Sequence, residues 1–374
     1  MGPRGHRAVR PTPETVTRHY HAPAPGSPTG VADYAESLRL ALEPYGPLPV
    51  PLYHLGNNRL HTEIYRRALE EPGVIVLHDA VMHHFLLGTL TREQYIAEFV
   101  YNYSEWKRHL AGELWAERAS SAVDLRYFEF PLLRRVVERS RAVVVHNPGA
   151  AAIAQAHGAE NLHIVPHFFE PAPLPDAAIT AEFRERLGIP QIATLFGIFG
   201  YLRETKRVIP SLDAFRRLYR VRPDTALLLA GDPVSPDLAR LLGTEATHRA
   251  VYRLGYLKES DFQIAAAAID CCINLRYPAA GETSGIAVRM MGIGKPVILS
   301  DGPQNADIPQ AACMRVQPGV AESAELFNHM VMVSAFPQFA KDLGNEARRH
   351  VREHHTLELA ARRYWQILCA AASC

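Results

Sequence analysis

A lysine that follows a glycine-containing loop is the first group in this sequence that could bind an anion. The segment GIFGYLRETKR, residues 197–207, follows an apolar run and precedes a helical pattern, so Lys206 and Arg207 stand at the start of a predicted helix. Free backbone N–H groups at a helix N-terminus and a neighbouring cation both stabilise a phosphate. Only five of the 374 residues are lysines, which draws attention to this one. A solvated surface turn would explain the same residues.

A carboxylate and two hydroxyl groups stand at a second predicted helix start. The stretch GETSG, residues 281–285, lies between the apolar run IDCCINL and the helical run IAVRMMG. Thr283 or Ser284 can cap that helix, and Gly285 lets a ligand approach the backbone closely. Capping does not need Glu282, and a carboxylate at the end of a strand can also accept hydrogen bonds from sugar hydroxyls. The stretch therefore predicts either a helix cap or a site for the polar end of a ligand.

Two further candidates lie in the first half of the chain. His78 and Asp79 end the apolar pattern GVIVL, which places them at the carboxyl edge of a sheet. There the histidine either faces a ligand or is satisfied by neighbouring protein groups. The loop PGSPTG, which ends at Gly30, could receive a phosphate or a sugar, although ordinary turn chemistry explains it equally well. His83 and His84 follow at helical spacing, but the sequence offers no further ligands that would predict a metal site.

Composition excludes several classes of protein. The chain carries a formal net charge of +1 and has no long basic run, which argues against nucleic acid as its partner. Its five cysteines form no CxxC pair, so neither a zinc site nor a disulfide framework is predicted. The fingerprints GxGxxG, Walker A and GxSxG are missing. Without an apolar stretch of about 18 residues or a signal peptide, we expect a cytoplasmic protein with at most peripheral contact at the inner membrane face.

The elements that must position these residues alternate between short apolar runs and helical patterns, which is typical of parallel βαβ units. Strands are predicted at 15–22, 49–56, 73–79, 140–147, 161–167, 193–200, 225–232, 250–257, 270–277, 295–301 and 312–319. The proline-rich segment around 170–180 has no period and predicts a linker. We therefore predict two doubly wound Rossmann-like α/β domains, 1–172 and 173–352, facing each other across a cleft. A C-terminal helix at about 353–374 would pack back on the first domain.

Taken together, these loops resemble those of GT-B glycosyltransferases of family 4, which retain anomeric configuration and use nucleotide sugars. GYLRETKR is similar to the family's G-R-L-x-x-x-K-G, and GETSG…GIGKPVILSD is similar to its E-G-F-G…A-x-G-x-P-V-I block. TGVADY and HD resemble its glycine loop and its acceptor-side histidine. The likeness runs over most of the chain, about residues 19–367, with the GETS motif marking a subgroup. It implies hexosyl transfer in glycan or polysaccharide biosynthesis, with no metal or other cofactor required.

The resemblance also implies roles for the residues named above. Lys206 would pair with the donor diphosphate, Glu282 would hold hydroxyls of the transferred sugar, and His78 would face the reacting centre beside Asp79 on the acceptor side. The donor would be a UDP or GDP sugar, and the acceptor a glycan, a lipid-linked molecule or a small molecule. No oligomeric state is predicted. The implied donor-binding residues are Gly30, Gly200, Arg203, Lys206, Arg207, Glu282, Thr283, Ser284 and Gly285.

Two positions depart from the family pattern. Tyr201 stands where the family has an arginine, for which Arg203 or Arg207 is the candidate replacement. The family's second glutamate, which grips the donor ribose, is replaced by Arg289 or Met290, depending on the end from which one counts. These departures leave two alternatives open. One is a catalytically silent sugar-nucleotide-binding partner subunit, and the other is a GT-B-fold sugar-nucleotide epimerase.

Overall fold

Five parallel strands form one sheet in the N-terminal half of the computed structural model, which describes residues 19–373 apart from the side chain of Glu245. Residues 15–18 of the first predicted strand lie outside the described residues. The strands are β1 (Tyr20–His21), β2 (Leu52–Leu55), β3 (Val74–Leu77), β4 (Ala142–Val145) and β5 (Leu162–Ile164). They lie side by side in chain order.

Six more parallel strands within the described residues form a second sheet. They are β6 (Thr194–Phe199), β7 (Thr225–Ala230), β8 (Val251–Leu254), β9 (Cys271–Asn274), β10 (Val297–Ser300) and β11 (Met314–Val316). Their order is β11-β10-β9-β6-β7-β8, so the direction of winding reverses between β6 and β9. A crevice forms outside the carboxyl ends of strands at such a reversal. The strands described in the first sheet contain no such reversal.

Sixteen α-helices lie within residues 19–373. They are α1 (Gly30–Leu42), α2 (Thr62–Glu70), α3 (His83–Thr89), α4 (Arg92–Tyr103), α5 (Arg108–Ala116), α6 (Arg126–Glu129), α7 (Arg134–Arg139), α8 (Pro148–Ala156), α9 (Ala177–Arg186), α10 (Val208–Val221), α11 (Pro236–Glu245), α12 (Glu259–Ala268), α13 (Gly285–Gly292), α14 (Glu322–Ala335), α15 (Pro337–His354) and α16 (Leu357–Ala372).

Both faces of each sheet are covered by helices, which explains why the strands read as continuous apolar runs. In β3, Val74 packs toward α1 and α16, while Ile75 packs toward α2 and α8. In β6, Leu195 packs toward α12, α13 and α15, while Phe196 packs toward α10 and α14. Successive residues of a strand point to opposite faces, so each sheet builds two apolar layers. The alternation of strands and helices predicted from the sequence is confirmed.

The structure differs from the sequence-based prediction in two elements. The segment predicted as a linker ends early, because its last residues open α9 at Ala177. Helix α14 was not predicted. The C-terminal pattern, which the sequence leaves open as one long helix or a broken pair, is a pair of helices broken at His355, and the second of them, α16, lies on the N-terminal sheet beside α1. There the hydroxyl oxygens of Tyr34 and Tyr364 are 3.0 Å apart.

Candidate active site between the two sheets

The structure brings Lys206 and Glu282 together at the carboxyl edge of the C-terminal sheet. Lys206 ends a turn of 3-10 helix after β6, and Glu282 lies in the loop between β9 and α13. Because β6 and β9 are neighbours at the reversal of strand order, the two loops share the crevice there. The charge of Glu282 acts on Lys206, raising the pKa of the amine against the opposing effect of burial.

Lys206 has a buried amine that no carboxylate of the described chain pairs with. The side chain is 8% exposed, and Nζ donates to the carbonyl of Phe199 at 2.5 Å. A Cβ at Gly200, whose φ is +76°, would lie 3.0 Å from Nζ, so glycine suits this loop in both backbone and space. Burial holds the pKa of Lys206 well below its ordinary value, and the charges of Arg276 and Arg203 lower it further. An anion bound beside the amine would be strongly stabilised.

Arg276, which the sequence analysis passed over, fixes the orientation of Glu282. Its Nη1 donates to Oε1 of Glu282 at 2.9 Å, while the N–H of Ala280 donates to Oε2 at 2.7 Å. The N–H of Arg276 itself donates to the hydroxyl of Ser300 at 2.9 Å, which ties the arginine to the neighbouring strand. Its Nε is buried without a partner in the described chain. The signal that could have identified it is a single arginine at the carboxyl end of an apolar strand.

Of the two arginines considered as replacements for Tyr201, the structure favours Arg203. Its guanidinium is exposed, makes no hydrogen bond or ion pair within residues 19–373, and lowers the pKa of Lys206. Arg207 is engaged elsewhere, since its Nε donates to Oε2 of the buried Glu322 at 2.8 Å. The guanidinium of Arg207 is thus already paired, and its contact with the donor stays a prediction. Tyr201 is 40% exposed.

The two hydroxyl groups of GETSG have different roles, because one caps helix α13 and the other contacts the N-terminal half. Ser284 is the N-cap of α13, and its hydroxyl accepts from the N–H of Ala287 at 3.3 Å. The hydroxyl of Thr283 accepts from Nδ2 of Asn147, at the end of β4, at 2.9 Å. The helix cap anticipated from the sequence is therefore present. Neither function of the hydroxyls uses Glu282.

His167, another residue that the sequence analysis missed, faces the start of α13. Its Nδ1 donates to the carbonyl of Phe168 at 2.9 Å, and a Cβ at Gly285 would lie 3.5 Å from Nε2. Burial, then the charge of His146, lowers the pKa of His167 to about 3. The ring is therefore neutral, with Nε2 available as an acceptor for a hydroxyl. No local pattern in the sequence marks this residue.

His78 does not present a free ring nitrogen to the cleft. Its Nε2 lies 3.0 Å from Nδ1 of His54, and its Nδ1 lies 3.2 Å from Nε2 of His146. Nδ1 of His146 in turn donates to the carbonyl of Val165 at 2.9 Å. Since a carbonyl only accepts, a neutral chain requires every proton of these three rings to sit on Nδ1. Both ring nitrogens of His78 are therefore occupied by other histidines, as in the satisfied histidine that the sequence left open, and its place at the reacting centre stays a prediction.

Asp79 is the ionisable group that the N-terminal sheet offers to the cleft. Its Oδ2 accepts from the N–H of Asn57 at 2.8 Å. Burial, then the charge of Glu282, raises the pKa of Asp79 to about 6, while Arg203 and Arg276 oppose that rise. The carboxylate therefore lies within electrostatic reach of the residues on the opposite side.

Gly30 lies at the open side of the cleft. It begins α1, where the hydroxyl of Thr29 accepts from the N–H of Val31, and a Cβ on Gly30 would meet nothing within 4 Å. The charges of Glu259 and Arg289, which belong to the other half, act on Asp33 in the first turn of α1. The loop of Gly30 therefore faces the C-terminal half, where a ligand could enter between them.

Neither candidate for the family's second glutamate provides a carboxylate. Arg289 forms an ion pair with Glu259 and lies over the ring of Phe262, 4.0 Å from its centroid. Met290 is fully buried in the core. The carboxylate in this region is that of Glu259, at the start of α12. How the chain would hold a ribose therefore differs from the pattern that the resemblance implies.

Residues 19–373 contain no group of three or more His, Cys, Asp or Glu side chains suited to a metal ion. His83 is used by the fold, since its Nδ1 donates to the carbonyl of Phe130 and the hydroxyl of Tyr95 donates to its Nε2 at 2.7 Å. No helix in this part of the chain is long and apolar enough to cross a membrane.

A cavity of 280 Å³ lies beside the loop that carries Glu282, at the ends of β9 and β10. Its wall includes Arg276, Gly281 and Asp301 from the C-terminal half and Gly149 and Ile153 from α8. Lys206 does not line it. The cavity therefore shares Arg276 and the Glu282 loop with the anion site but does not include Lys206.

Comparison with known proteins identifies similar folds but does not assign the chain to a family. No protein-family model and no curated protein matches the chain. Anabaena HepE in complex with UDP and glucose is similar at a TM-score of 0.64 and 14% identity, over 94% of this chain and 98% of that one. Sucrose-phosphate synthase from Thermosynechococcus elongatus is similar at 0.61 and 15%, over 91% and 78%. A glycosyltransferase from Rickettsia africae is similar at 0.53 and 14%, over 86% and 97%.

Identities this low show the fold alone. HepE and sucrose-phosphate synthase are GT-B glycosyltransferases, and both similarities extend over more than nine-tenths of this chain. The chain therefore has the GT-B fold, with two parallel-sheet α/β domains in which the described residues form five and six strands. The fold predicted from the sequence is confirmed.

Proposed function

We propose that this protein is a glycosyltransferase that moves a hexosyl group from a nucleoside-diphosphate sugar to an acceptor hydroxyl, with retention of anomeric configuration. One observation carries the proposal: Arg276 pairs with Glu282, and the charges of Arg276, Arg203 and Glu282 act both on Lys206 and on Asp79 of the opposite half, at the strand ends of a GT-B fold. Structures of HepE hold UDP, UDP-glucose, or UDP with glucose, which supports a nucleotide sugar as the ligand of this fold.

The cations and the helix start account for binding and departure of the diphosphate. Lys206 has its amine buried beside the crevice, and the exposed Arg203, whose charge acts on Lys206, has no side-chain partner in the described chain. The N-terminal N–H groups of α13 add a favourable dipole. Each charge-assisted hydrogen bond to a leaving phosphate contributes about 1.5–3 kcal/mol. Such groups, positioned before the reaction, stabilise the charge that develops on the leaving group.

Glu282 would bind the transferred sugar and not attack it. One carboxylate oxygen accepts from Arg276 and the other from the N–H of Ala280, so the group is oriented and its charge is compensated. Remaining lone pairs can accept from sugar hydroxyls. A front-face reaction follows, in which the departing phosphate oxygen takes the proton of the acceptor hydroxyl. Asp79, on the acceptor side, would accept a hydrogen bond from a neighbouring hydroxyl of the acceptor and so orient the molecule.

The finer features of the proposal come from the sequence resemblance. They are membership of family 4 and its GETS-type subgroup, a UDP or GDP donor, no required metal, and a glycan, lipid-linked or small-molecule acceptor. A role in glycan or polysaccharide biosynthesis at the cytoplasmic side is part of the same proposal. The domain limits near residue 172 and residue 352 also stay predictions.

The test is release of nucleoside diphosphate from a panel of UDP and GDP sugars, with the anomeric configuration of the product read by NMR. Lys206→Ala is expected to slow turnover by about tenfold to a hundredfold or more. Lys341→Ala, an exposed lysine on α15, is the matched control and should act like the wild type. Inversion of configuration would refute the retaining mechanism.

Other results would select one of the alternatives. Nucleotide binding in a thermal-shift assay without any release would indicate a silent binding subunit. Interconversion of sugar nucleotides without accumulation of free diphosphate would indicate an epimerase. If no nucleotide or nucleotide sugar binds, the proposed function fails altogether.

A further inference from the structure

The loop that carries Glu282 is tied to the opposite half of the molecule at both of its ends. Asn147 is 1% exposed, and its Nδ2 donates to the carbonyl of Gly281 and to the hydroxyl of Thr283, both at 2.9 Å. These two residues flank Glu282 in the chain. On the other side, the carbonyl of Ala280 accepts from the N–H groups of Ala80 and Val81 at 2.8 and 2.9 Å.

Asn147 is held firmly enough to position the loop. It is the N-cap of α8, and its Oδ1 accepts from the N–H of Ala150 at 2.8 Å. All three of these hydrogen bonds use one amide group, so the direction of its Nδ2 hydrogens is set by the cap. The loop therefore receives its position from a helix of the N-terminal half.

The contact is a close approach of backbones. A Cβ at Gly281, whose φ is +76°, would lie 2.7 Å from Cβ of Ala80. A Cβ at Gly149, next to the cap, would lie 2.7 Å from the nitrogen of Gln304. The two halves can come this near only where side chains are missing, so small shifts of one half would be transmitted to the other.

The same backbone also holds the carboxylate of Glu282. The N–H of Ala280 donates to Oε2 of Glu282, and the carbonyl of Ala280 accepts from the other half. We infer that Asn147 is a positioning residue that fixes the Glu282 loop from the opposite domain, so that the sugar site is complete only when the two domains are docked. The inference rests on the proposed function for the role of Glu282, but the contact itself can be tested without any substrate.

The test is Asn147→Asp in the full-length protein. The new carboxylate keeps an oxygen for the cap of α8 but replaces both donating hydrogens with an oxygen that faces the carbonyl of Gly281. Hydrogen exchange followed by mass spectrometry then reads the N–H groups of Ala80 and Val81, which are protected by the docked loop. Their exchange is expected to be faster by about tenfold or more, as befits the loss of two buried hydrogen bonds. Exchange equal to that of the wild type would overturn the inference.

Two controls distinguish the loss of the hydrogen bonds between Asn147 and the Glu282 loop from a general destabilisation of the protein. Asn161→Asp makes the same chemical change on an exposed residue just before β5, at the edge of the sheet away from the cleft, and should leave the protection of Ala80 and Val81 unchanged. If Asn147→Asp does not fold, Thr283→Val removes one acceptor and is expected to raise exchange by a smaller factor. Thr283→Ser keeps the hydroxyl and should keep the protection. Equal exchange in the Val and Ser variants would then overturn the inference.

A kinetic comparison tests the coupling to the sugar site. In Asn147→Asp, turnover of the best nucleotide sugar should fall by about tenfold, while the dissociation constant of UDP or GDP stays within about twofold, because Lys206 and Arg203 belong to the C-terminal half. Parallel loss of nucleotide affinity and turnover would overturn the positioning role. If the wild type binds no nucleotide, the proposed function fails. The exchange experiment still decides whether Asn147 holds the Glu282 loop.

Discussion

The carboxylates of Asp79 and Glu282 lie near one another across the interface between the two sheets, each held by a backbone N–H of its own half. The N–H of Asn57 donates to Asp79 at 2.8 Å, and the N–H of Ala280 donates to Glu282 at 2.7 Å. Glu282 has a partner in Arg276, whereas Asp79 has no salt bridge in the described chain. The negative charge of Glu282 is therefore balanced by Arg276, whereas ionisation of the buried Asp79 is energetically unfavourable.

Activity should fall at acidic pH because Asp79 takes up a proton. Burial and the charge of Glu282 raise the pKa of this carboxyl to about 6. Only the ionised form accepts a hydrogen bond from the neighbouring hydroxyl of the acceptor without donating one, so kcat/KM should drop about tenfold per pH unit below that value. The profile of Asp79→Asn between about pH 5 and pH 8 should be lower and lack this limb. A limb at the same pH in the Asn variant would contradict the assignment.

The protein should lose stability as the pH falls below about 6.5, through its buried histidines. Burial lowers the pKa of His54 to about 3 and that of His146 to about 4. The unfolded chain then binds protons that the folded chain does not, so the free energy of unfolding falls with decreasing pH between the unfolded and the folded pKa values. Each such histidine contributes a slope of up to about 1.4 kcal/mol per pH unit.

Chemical denaturation at a series of pH values measures that slope. His54→Gln should reduce it, whereas His109→Gln, which changes an exposed histidine of α5, should not. NMR of ¹⁵N-labelled histidine should also find the proton on Nδ1 of His54, His78 and His146. A slope that His54→Gln leaves unchanged, or a proton on Nε2 of His146, would disprove the neutral chain.

Binding of a nucleoside diphosphate should take up a proton at Lys206. Burial and the charges of Arg276 and Arg203 hold the pKa of the amine well below its ordinary value, and a bound diphosphate would raise it again. Calorimetry of UDP or GDP binding in buffers of different ionisation enthalpy should therefore show uptake of a fraction of one proton. Lys206→Arg, which stays charged, should bind with less uptake. Equal uptake in both proteins would place the proton elsewhere.

Arg276 and Glu282 should be energetically coupled in catalysis. Arg276→Met leaves Glu282 without its cation and free to rotate, so kcat/KM is expected to fall by about a hundredfold. Glu282→Gln should cost a similar factor, and the double variant should be only slightly worse than either single one. A double-mutant cycle measures this coupling, expected at about 1–3 kcal/mol. Additive losses would show that Arg276 acts independently of Glu282.

The sequence by itself determined most of the strands and their alternation with helices, although it did not reveal α14. Strands buried on both faces must be apolar at every position, so runs such as VIVL and TALLLA are recognisable without knowledge of their neighbours. The positions of Lys206 and Glu282 after such runs placed both at a carboxyl edge. The cap by Ser284 is likewise a local feature, since its hydroxyl accepts from an N–H three residues ahead.

The tertiary structure alone decided which side chains meet. Arg207 is paired with Glu322, which is 115 residues away, and His78 is enclosed by His54 and His146, which are 24 and 68 residues away. Asn147 reaches the GETSG loop over 134 residues. Helical and strand periodicity reports the burial of a face but not the partner that buries it. Only the packing of the two sheets against each other therefore decides which nitrogens and carboxylates stay unpaired and can bind a ligand.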